Sequence, residues 1–451
     1  MANTVVIFGM AHSGKTTCAG YIYDQSMQGK EDYDFEGYID RVKKELGEKY
    51  DASRDFGYLL DKSKDERIRK KKSGIGESKE LHIKSIQFSD SKFVIIDTPG
   101  AQHKATQRQK GMYYGDIGIF CVEINKIIDD RYLENQKYFL TFMSTLILWT
   151  KFKKKTIIAL TKMDTVNFRQ EKYEYACGIL KQLCQDIDVS EIIPISIDVK
   201  RRIGKNIFES SNDMPWYNGK DLVSAIGEEI RSSEQEKNER ELLFYVDRNY
   251  AQSHEHTGKC WRIKIIRGIL QKGQKICLSP VLINKEFCTV TATIKSIRSD
   301  LDRIEGVQYI DCAAEGDFVG IDLMDIVCNK RRVDKRNLDT VCTTCGFSTK
   351  LSFSFSNEFV FRVGVQYIEK LGINRQMDLL WFGRAITFEI VSKNIKAEGV
   401  EVHAQVMNKY LCMPLDSNGR YLIEYFIVKY DHNLNADPFM EVKLLSIGGE
   451  E

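Results

Sequence analysis

Proline is scarce in this chain, 6 residues of 451 or about 1%, against a usual share near ~5%. Proline-rich linkers are thereby excluded, and short connections between regular elements are expected. A charge of one sign is also missing. Sixty-six Lys and Arg face 64 Asp and Glu, a formal net charge of +2, so no basic field covers the whole chain and any phosphate-binding surface must be a local patch. The longest apolar stretch, around Phe142–Trp149, falls far short of the roughly 20 residues that span a bilayer. The N-terminal run MANTVVIFGM has neither a basic n-region nor a long apolar core, so no signal peptide is expected. The twelve cysteines are scattered, and several lie in apolar runs such as GIFCVEI around Cys121. That excludes the dense framework of a small secreted domain. The expectation is a soluble, cytoplasmic protein with reduced thiols and no membrane partner.

Hydrophobic residues at 43% and charged residues at 29% supply material for sizeable cores. The length suggests about three domains. Up to about residue 230, short apolar runs alternate with amphipathic stretches. TVVIFG (4–9), FVIID (93–97), IGIFCVEI (117–124), TIIALT (156–161) and IIPIS (192–196) have the composition of buried strands. Helical patterns such as KTTCAGYIYDQ and EKYEYACGILKQLCQDI lie between them. This alternation predicts an α/β domain, a mostly parallel sheet with helices on both faces. The charged segment SSEQEKNER (232–240) then serves as a linker. Beyond it come alternating strands with turn signals, KCWRIKIIRG, KICLSPV, CTVTATIKSI and DFVGIDL, and after CTTCGF the runs LSFSFSNEFVFRVGV, AITFEIVSKNI, VEVHAQVMN and YLIEYFIVKY. Two all-β barrels are expected. The division is 1–233 for the α/β domain, 238–338 for the first barrel and 343–451 for the second.

GMAHSGKT, Gly9 to Thr16, fits G-x-x-x-x-G-K-[ST] at every fixed position, after a strand and before a helix. Gly9 and Gly14 allow the backbone to turn its N–H groups, with those of His12, Ser13 and Thr17, towards phosphate oxygens at a helix N-terminus. Lys15 would reach the β- and γ-phosphates, and Thr16 would ligate Mg²⁺. DTPG, Asp97 to Gly100, closes the next buried strand; Asp97 can hold the magnesium through water, and the Gly100 N–H can meet a γ-phosphate. TKMD, Thr161 to Asp164, ends TIIAL. A carboxylate there accepts both the N1–H and the N2 amino proton of guanine, a pair that adenine lacks. Lys162 would lay its stem along the base, and the neighbourhood of Ser196 would offer N–H groups to guanine O6. The order of these motifs points to GTP and GDP, bound at strand C-terminal ends.

With those motifs in place, the sequence resembles the translational GTPases, closest to elongation factor 1-alpha and elongation factor Tu. LLDKSKDER (59–67) looks like the segment leading into that family's first switch, and IGKNIFESSNDMPWYNGKDLVSAI (203–226) is similar to its eukaryotic and archaeal branch, with an M-P-W-Y run. GKCWRIKIIRGILQKGQKICLSPV resembles the second domain's barrel, and YLCMPLDSNGRYLIEYFIVKYD the last hairpins of the third. The resemblance implies a G domain followed by two barrels, GTP hydrolysis with Mg²⁺, a tRNA or ribosomal partner, and an exchange factor.

Two departures bear on hydrolysis. The family's D-x-P-G is followed by a histidine that positions the attacking water; here Ala101 stands there and His103 comes two residues later. The family's switch threonine has no counterpart, since no threonine occurs between Thr17 and Thr98. Gly76 matches by register, and Ser78 is the nearest hydroxyl. Loss of a positioned catalytic group costs on the order of 10²–10⁴ in rate, so slow or partner-dependent turnover is expected, with His103 as the candidate substitute. Basic clusters at Arg67–Lys72 and at Lys330, Arg331, Arg332, Lys335 and Arg336 are candidate RNA contacts. Cys342 and Cys345 form a single C-x-x-C without a second pair, which favours a plain turn over zinc. Two alternatives stand beside the translation factor: a GTP-regulated subunit resembling the large subunit of sulfate adenylyltransferase, and a GTP-binding module that no longer cycles.

Overall fold

The computed structural model describes residues 3–31, 33–61, 81–88, 91–100, 105–129, 145–146, 149, 155–184, 188–234, 240–251, 259–283, 285–299, 308–334, 345–381, 384–407, 409–429 and 439–448. Ala101, His103, the Arg67–Lys72 cluster, Gly76, Ser78, Lys335, Arg336 and Cys342 lie outside them. Two compact units divide at residues 237 and 238.

In the N-terminal unit, six strands form one sheet: β1 (Asn3–Gly9), β2 (His82–Phe88), β3 (Ser91–Asp97), β4 (Ile117–Glu123), β5 (Lys155–Thr161) and β6 (Glu191–Pro194), in the order β2-β3-β1-β4-β5-β6. All neighbours run parallel except β2, which pairs antiparallel to β3. The five predicted strands are β1, β3, β4, β5 and β6. Their unbroken apolar runs follow from burial on both faces; Val5, Ile7, Ile95, Ile119, Cys121, Ile157 and Ile193 all lie in the core. The strand β2 carries a weaker sequence signal, because HIKSIQF sits at the sheet edge and mixes buried, half-buried and exposed positions. Helix α1 (Lys15–Met27) follows the phosphate-loop motif. Helix α2 (Phe35–Leu46) is an addition to the expected elements. Phe35, Ile39, Val42 and Leu46 form its buried stripe, and Asp34 caps it by accepting from the Gly37 N–H. A helix at Leu222–Glu234 ends the unit and takes in the start of the expected linker.

The C-terminal unit contains two closed barrels. In the first, the strands Leu243–Ala251, Lys259–Arg267, Phe318–Cys328, Glu286–Ser299, Lys275–Ile283 and Cys345–Ser348 pair in a ring. Its interior is aliphatic around Trp261, with Ile263, Leu278, Val290, Ile294 and Ile321. The boundary expected between 338 and 343 needs correction. Cys345–Ser348 pairs between Lys275–Ile283 and Leu243–Ala251, so the first barrel closes only with a strand beyond that point. The local sequence, CGFS, carries no mark of which barrel it joins. The second barrel closes through Glu358–Val363, Gly399–Val406, Arg384–Lys396, Gln376–Trp381, Tyr425–Lys429 and Phe439–Ile447. Trp381 stacks on Phe426 inside it at 4.3 Å between ring centroids. No helix among the described residues is long and apolar enough to cross a membrane.

Candidate nucleotide-binding site

Strand β1 lies between β3 and β4, so the loops after β1, β3, β5 and β6 open on one edge of the sheet, at the carboxyl ends where open α/β sheets hold ligands. The loop after β1 begins at Gly9, whose φ of 143° suits glycine, and a Cβ there would lie 2.4 Å from the Cys121 carbonyl oxygen. It ends at Gly14, φ 83°, which caps α1 without a side-chain bond. The first N–H groups of α1 are therefore left for a ligand. His12 is exposed with φ 65°, Ser13 and Lys15 are buried, and Thr16 and Thr17 are half-buried.

The Lys15 ammonium donates to the Met10 carbonyl at 2.7 Å. Burial pushes its pKa below the ordinary lysine value, and the neighbouring Asp97 carboxylate opposes that shift. Thr16 Oγ1 donates to Asp97 Oδ2 at 2.8 Å. The other carboxylate oxygen, Asp97 Oδ1, is buried with no hydrogen-bond partner among the described residues, as is Ser13 Oγ. Gly100 completes the cradle: a Cβ there would come within 2.5 Å of Lys15 Nζ and 2.7 Å of the Ala11 nitrogen. Only glycine lets the backbone after DTP lie so close to the phosphate loop.

On the other side, Thr161 Oγ1 donates to the Ser13 carbonyl at 2.9 Å and ties the end of β5 to the phosphate loop. Lys162 adopts φ 62° and pairs with Glu123 Oε2 at 3.0 Å. Asp164 is exposed, and its Oδ1 accepts from Ser196 Oγ at 2.5 Å. The Met163 N–H reaches the Ile195 carbonyl at 3.3 Å, so the loops after β5 and β6 are bonded by backbone as well. Gly9, Lys15, Thr16, Asp97, Gly100, Thr161, Lys162, Asp164 and Ser196 thus lie in one locus, while Gly76, Ser78, Ala101 and His103 fall outside the described residues.

Two further residues belong to the locus without having been expected there. Glu123 holds Lys162, and its signal was available, because parallel pairing of β4 and β5 places Glu123 opposite Thr161. His82 is buried opposite Asp97 in the β2–β3 register, with Nδ1 3.5 Å from Asp97 Oδ2 and Nε2 3.8 Å from Asp61 Oδ1. Its signal depends on recognising β2 as a strand. The Ser196 hydroxyl also donates to the Asp164 carboxylate, a contact the sequence did not suggest.

A phosphate loop joined to three other loop ends of a largely parallel sheet, followed by two closed barrels, defines a P-loop nucleotide-binding protein with translation-factor architecture. Residues 2–211 match the family described as "Elongation factor Tu GTP binding domain". Elongation factor 1-alpha of Methanocorpusculum labreanum is 26% identical over 330 residues, 73% of this chain and 69% of that protein. Sulfate adenylyltransferase subunit 1 of Buchnera aphidicola is 28% identical over 212 residues, 46% of this chain and 41% of that one. Among solved structures, the S. cerevisiae Ski7 GTPase-like domain, bound to GDP and inorganic phosphate, superposes with a TM-score of 0.73 at 13% identity, covering 99% of this chain and 97% of that one. This last likeness is one of fold. Residues 2–211 thus match a translational GTPase's GTP-binding domain, and the chain as a whole resembles divergent members of that family.

Proposed function

We propose that this chain is a divergent GTP-binding factor of the elongation factor 1-alpha and Tu type, acting in the cytoplasm on a tRNA-like or ribosomal partner. The observation that carries the proposal is the convergence of Lys15, Asp97, Asp164 and Ser196 on one sheet edge through the bonds Thr16–Asp97, Thr161–Ser13 and Ser196–Asp164. Asp164 presents an anionic edge suited to the paired donors of guanine, and adenine would leave that carboxylate unpaired. The Thr16 hydroxyl and Asp97 carboxylate form an oxygen donor set of the kind that suits magnesium. The partnerless Asp97 Oδ1 fits a role in holding that cation through water. When bound, magnesium would neutralise charge on the β- and γ-phosphate oxygens.

Turnover is slow without a partner, because the residue after DTPG is Ala101 and the switch segment has no threonine. An exchange factor would serve to release GDP. The likeness to sulfate adenylyltransferase subunit 1 favours a second reading, a GTP-regulated subunit of a metabolic enzyme, and a non-cycling module is a third.

One experiment separates the first two. The GTP-loaded protein is used as bait, with Lys15→Ala as the unloaded control, and co-purifying RNA is sequenced alongside protein identification. GTP-dependent enrichment of tRNA or ribosomal RNA is expected. A metabolic enzyme recovered in its place would overturn the translational reading. GTP held for hours without turnover or partner would favour the third.

A further inference from the structure

The M-P-W-Y run takes no part in the contacts described so far, yet it packs directly beneath the loops that carry Asp164 and Ser196. After β6 the chain makes a short hairpin of Ser196–Asp198 with Ile203–Lys205, then enters Asn206 with φ 56°. The Asn206 side chain is buried and bonded at both ends. Its Nδ2 donates to the Pro194 carbonyl at 2.9 Å, and its Oδ1 accepts the Ser211 N–H at 2.7 Å. Pro194 is the last residue of β6 and stands two before Ser196. The same Nδ2 lies 3.7 Å from Met214 Sδ. From Ser211 the chain makes two successive turns, Met214 N–H to the Ser211 carbonyl and Tyr217 N–H to the Met214 carbonyl. These turns bring Trp216 under the other loop.

Trp216 Nε1 donates to the Phe168 carbonyl at 2.9 Å. Phe168 closes the turn that begins at TKMD; its own N–H returns to the Met163 carbonyl at 3.0 Å. The turn is strained. Lys162, Asn167 and Phe168 hold φ of 62°, 52° and 55°, and such positions are costly enough to persist only when their surroundings over-determine them. The surroundings here come from the 206–217 segment and its approach. The Lys205 ammonium sits 5.2 Å from the Phe168 ring centroid and pairs with Asp213. The Trp216 ring packs on Tyr173 at 5.0 Å, and the Tyr173 hydroxyl donates to the Ile192 carbonyl of β6 at 2.7 Å. One short segment thus grips the loop after β5 through Phe168 and the end of β6 through Pro194.

The geometry points to Asn206 and Trp216 as positioning residues for purine selectivity, which hold Asp164 and Ser196 in register without touching the base. This inference rests on the guanine-nucleotide reading above. It gives the M-P-W-Y run a physical task. Free movement of either loop would separate Asp164 from Ser196, and the carboxylate would no longer meet both guanine donors at once. The phosphate end of the site, built on β1, α1 and β3, touches neither Asn206 nor Trp216 and meets the end of β5 at Thr161, ahead of the turn that Trp216 holds.

The test uses the full chain and two probes, GDP and ADP, with affinities measured by calorimetry. Trp216→Phe keeps an aromatic ring against Tyr173 and removes only the N–H. Asn206→Ala removes the donor to Pro194 and the acceptor for Ser211 without burying a charge against the Pro194 carbonyl. Each variant should weaken GDP by about three- to tenfold, a loss on the order of one hydrogen bond, while ADP affinity stays within about twofold. The GDP-to-ADP ratio should therefore shrink by about the same factor. A ratio unchanged from the parent in both variants overturns the inference. So does an equal loss for both nucleotides, because that marks general weakening of the domain. A parent with no preference for GDP over ADP would instead overturn the guanine reading itself, and the positioning role with it.

Discussion

Thr16 and Asp97, 81 residues apart in sequence, share one hydrogen bond of 2.8 Å between the first turn of α1 and the end of β3. The hydroxyl is a donor to the carboxylate here, and both oxygens suit the task of holding a hard cation. Thr16→Val keeps the β-branched shape and removes the oxygen. In the parent, chelation of magnesium should speed GDP release; in the variant, release should already be fast and respond little to chelator. Stopped-flow release of a fluorescent GDP measures both. Equal chelator sensitivity in the two proteins would take Thr16 out of the cation site.

Asp164 is the second lever. Asp164→Asn replaces an acceptor of two protons by an amide, whose NH₂ suits the C2 oxygen of xanthine. GTP affinity should fall by roughly 10- to 150-fold, the range for a hydrogen bond to a charged group, and binding of xanthosine triphosphate should improve. Competition against labelled GDP reads both changes. Unaltered preference for GTP would move base recognition away from the TKMD turn.

Hydrolysis is expected to be slow in the parent. Ala101 has no group to orient water, and His103 is the nearest imidazole in sequence. Single-turnover assays should show Ala101→His raising the rate, with a ceiling of about 10²–10⁴ for a restored acid–base group. If the unassisted parent is already fast, His103→Ala should slow it, and a fast His103→Ala protein would mean a different catalyst.

RNA contact should be electrostatic and involve Lys330, Arg331 and Arg332, all exposed at the strand end of the first barrel, with Lys335 and Arg336 following in sequence. Arg332 is already paired with Asp325 at 2.9 Å, so Lys330 and Arg331 should carry more of the effect. Neutralising the five cations should weaken binding and flatten the logarithmic salt dependence by about one unit for each phosphate that is no longer neutralised. An unchanged slope would place the RNA surface elsewhere.

The central strands and the phosphate loop are legible in the sequence because both are governed by local rules. FVII (93–96) and IIAL (157–160) are apolar throughout because both faces are covered, and glycine at positions 9 and 14 answers a backbone requirement within the loop itself. What stays hidden depends on neighbours far along the chain. His82 stands in a run of mixed polar and apolar residues at a sheet edge, and its place opposite Asp97 appears only with the β2–β3 register. Glu123 looks like the polar end of a strand until β5 is laid beside it. Trp216 looks like a core aromatic, and its N–H bond to Phe168 crosses 48 residues that no periodicity connects.

The strand Cys345–Ser348 decides where this chain can be divided between its barrels. A fragment ending near 340 would lack one stave, and Leu243–Ala251 and Lys275–Ile283 would each present a row of unpaired N–H and C=O groups where that stave belongs. Open edges of this kind recruit strands from other molecules. Such a fragment should exchange strands or precipitate, whereas one carried through Ser348 keeps its ring whole.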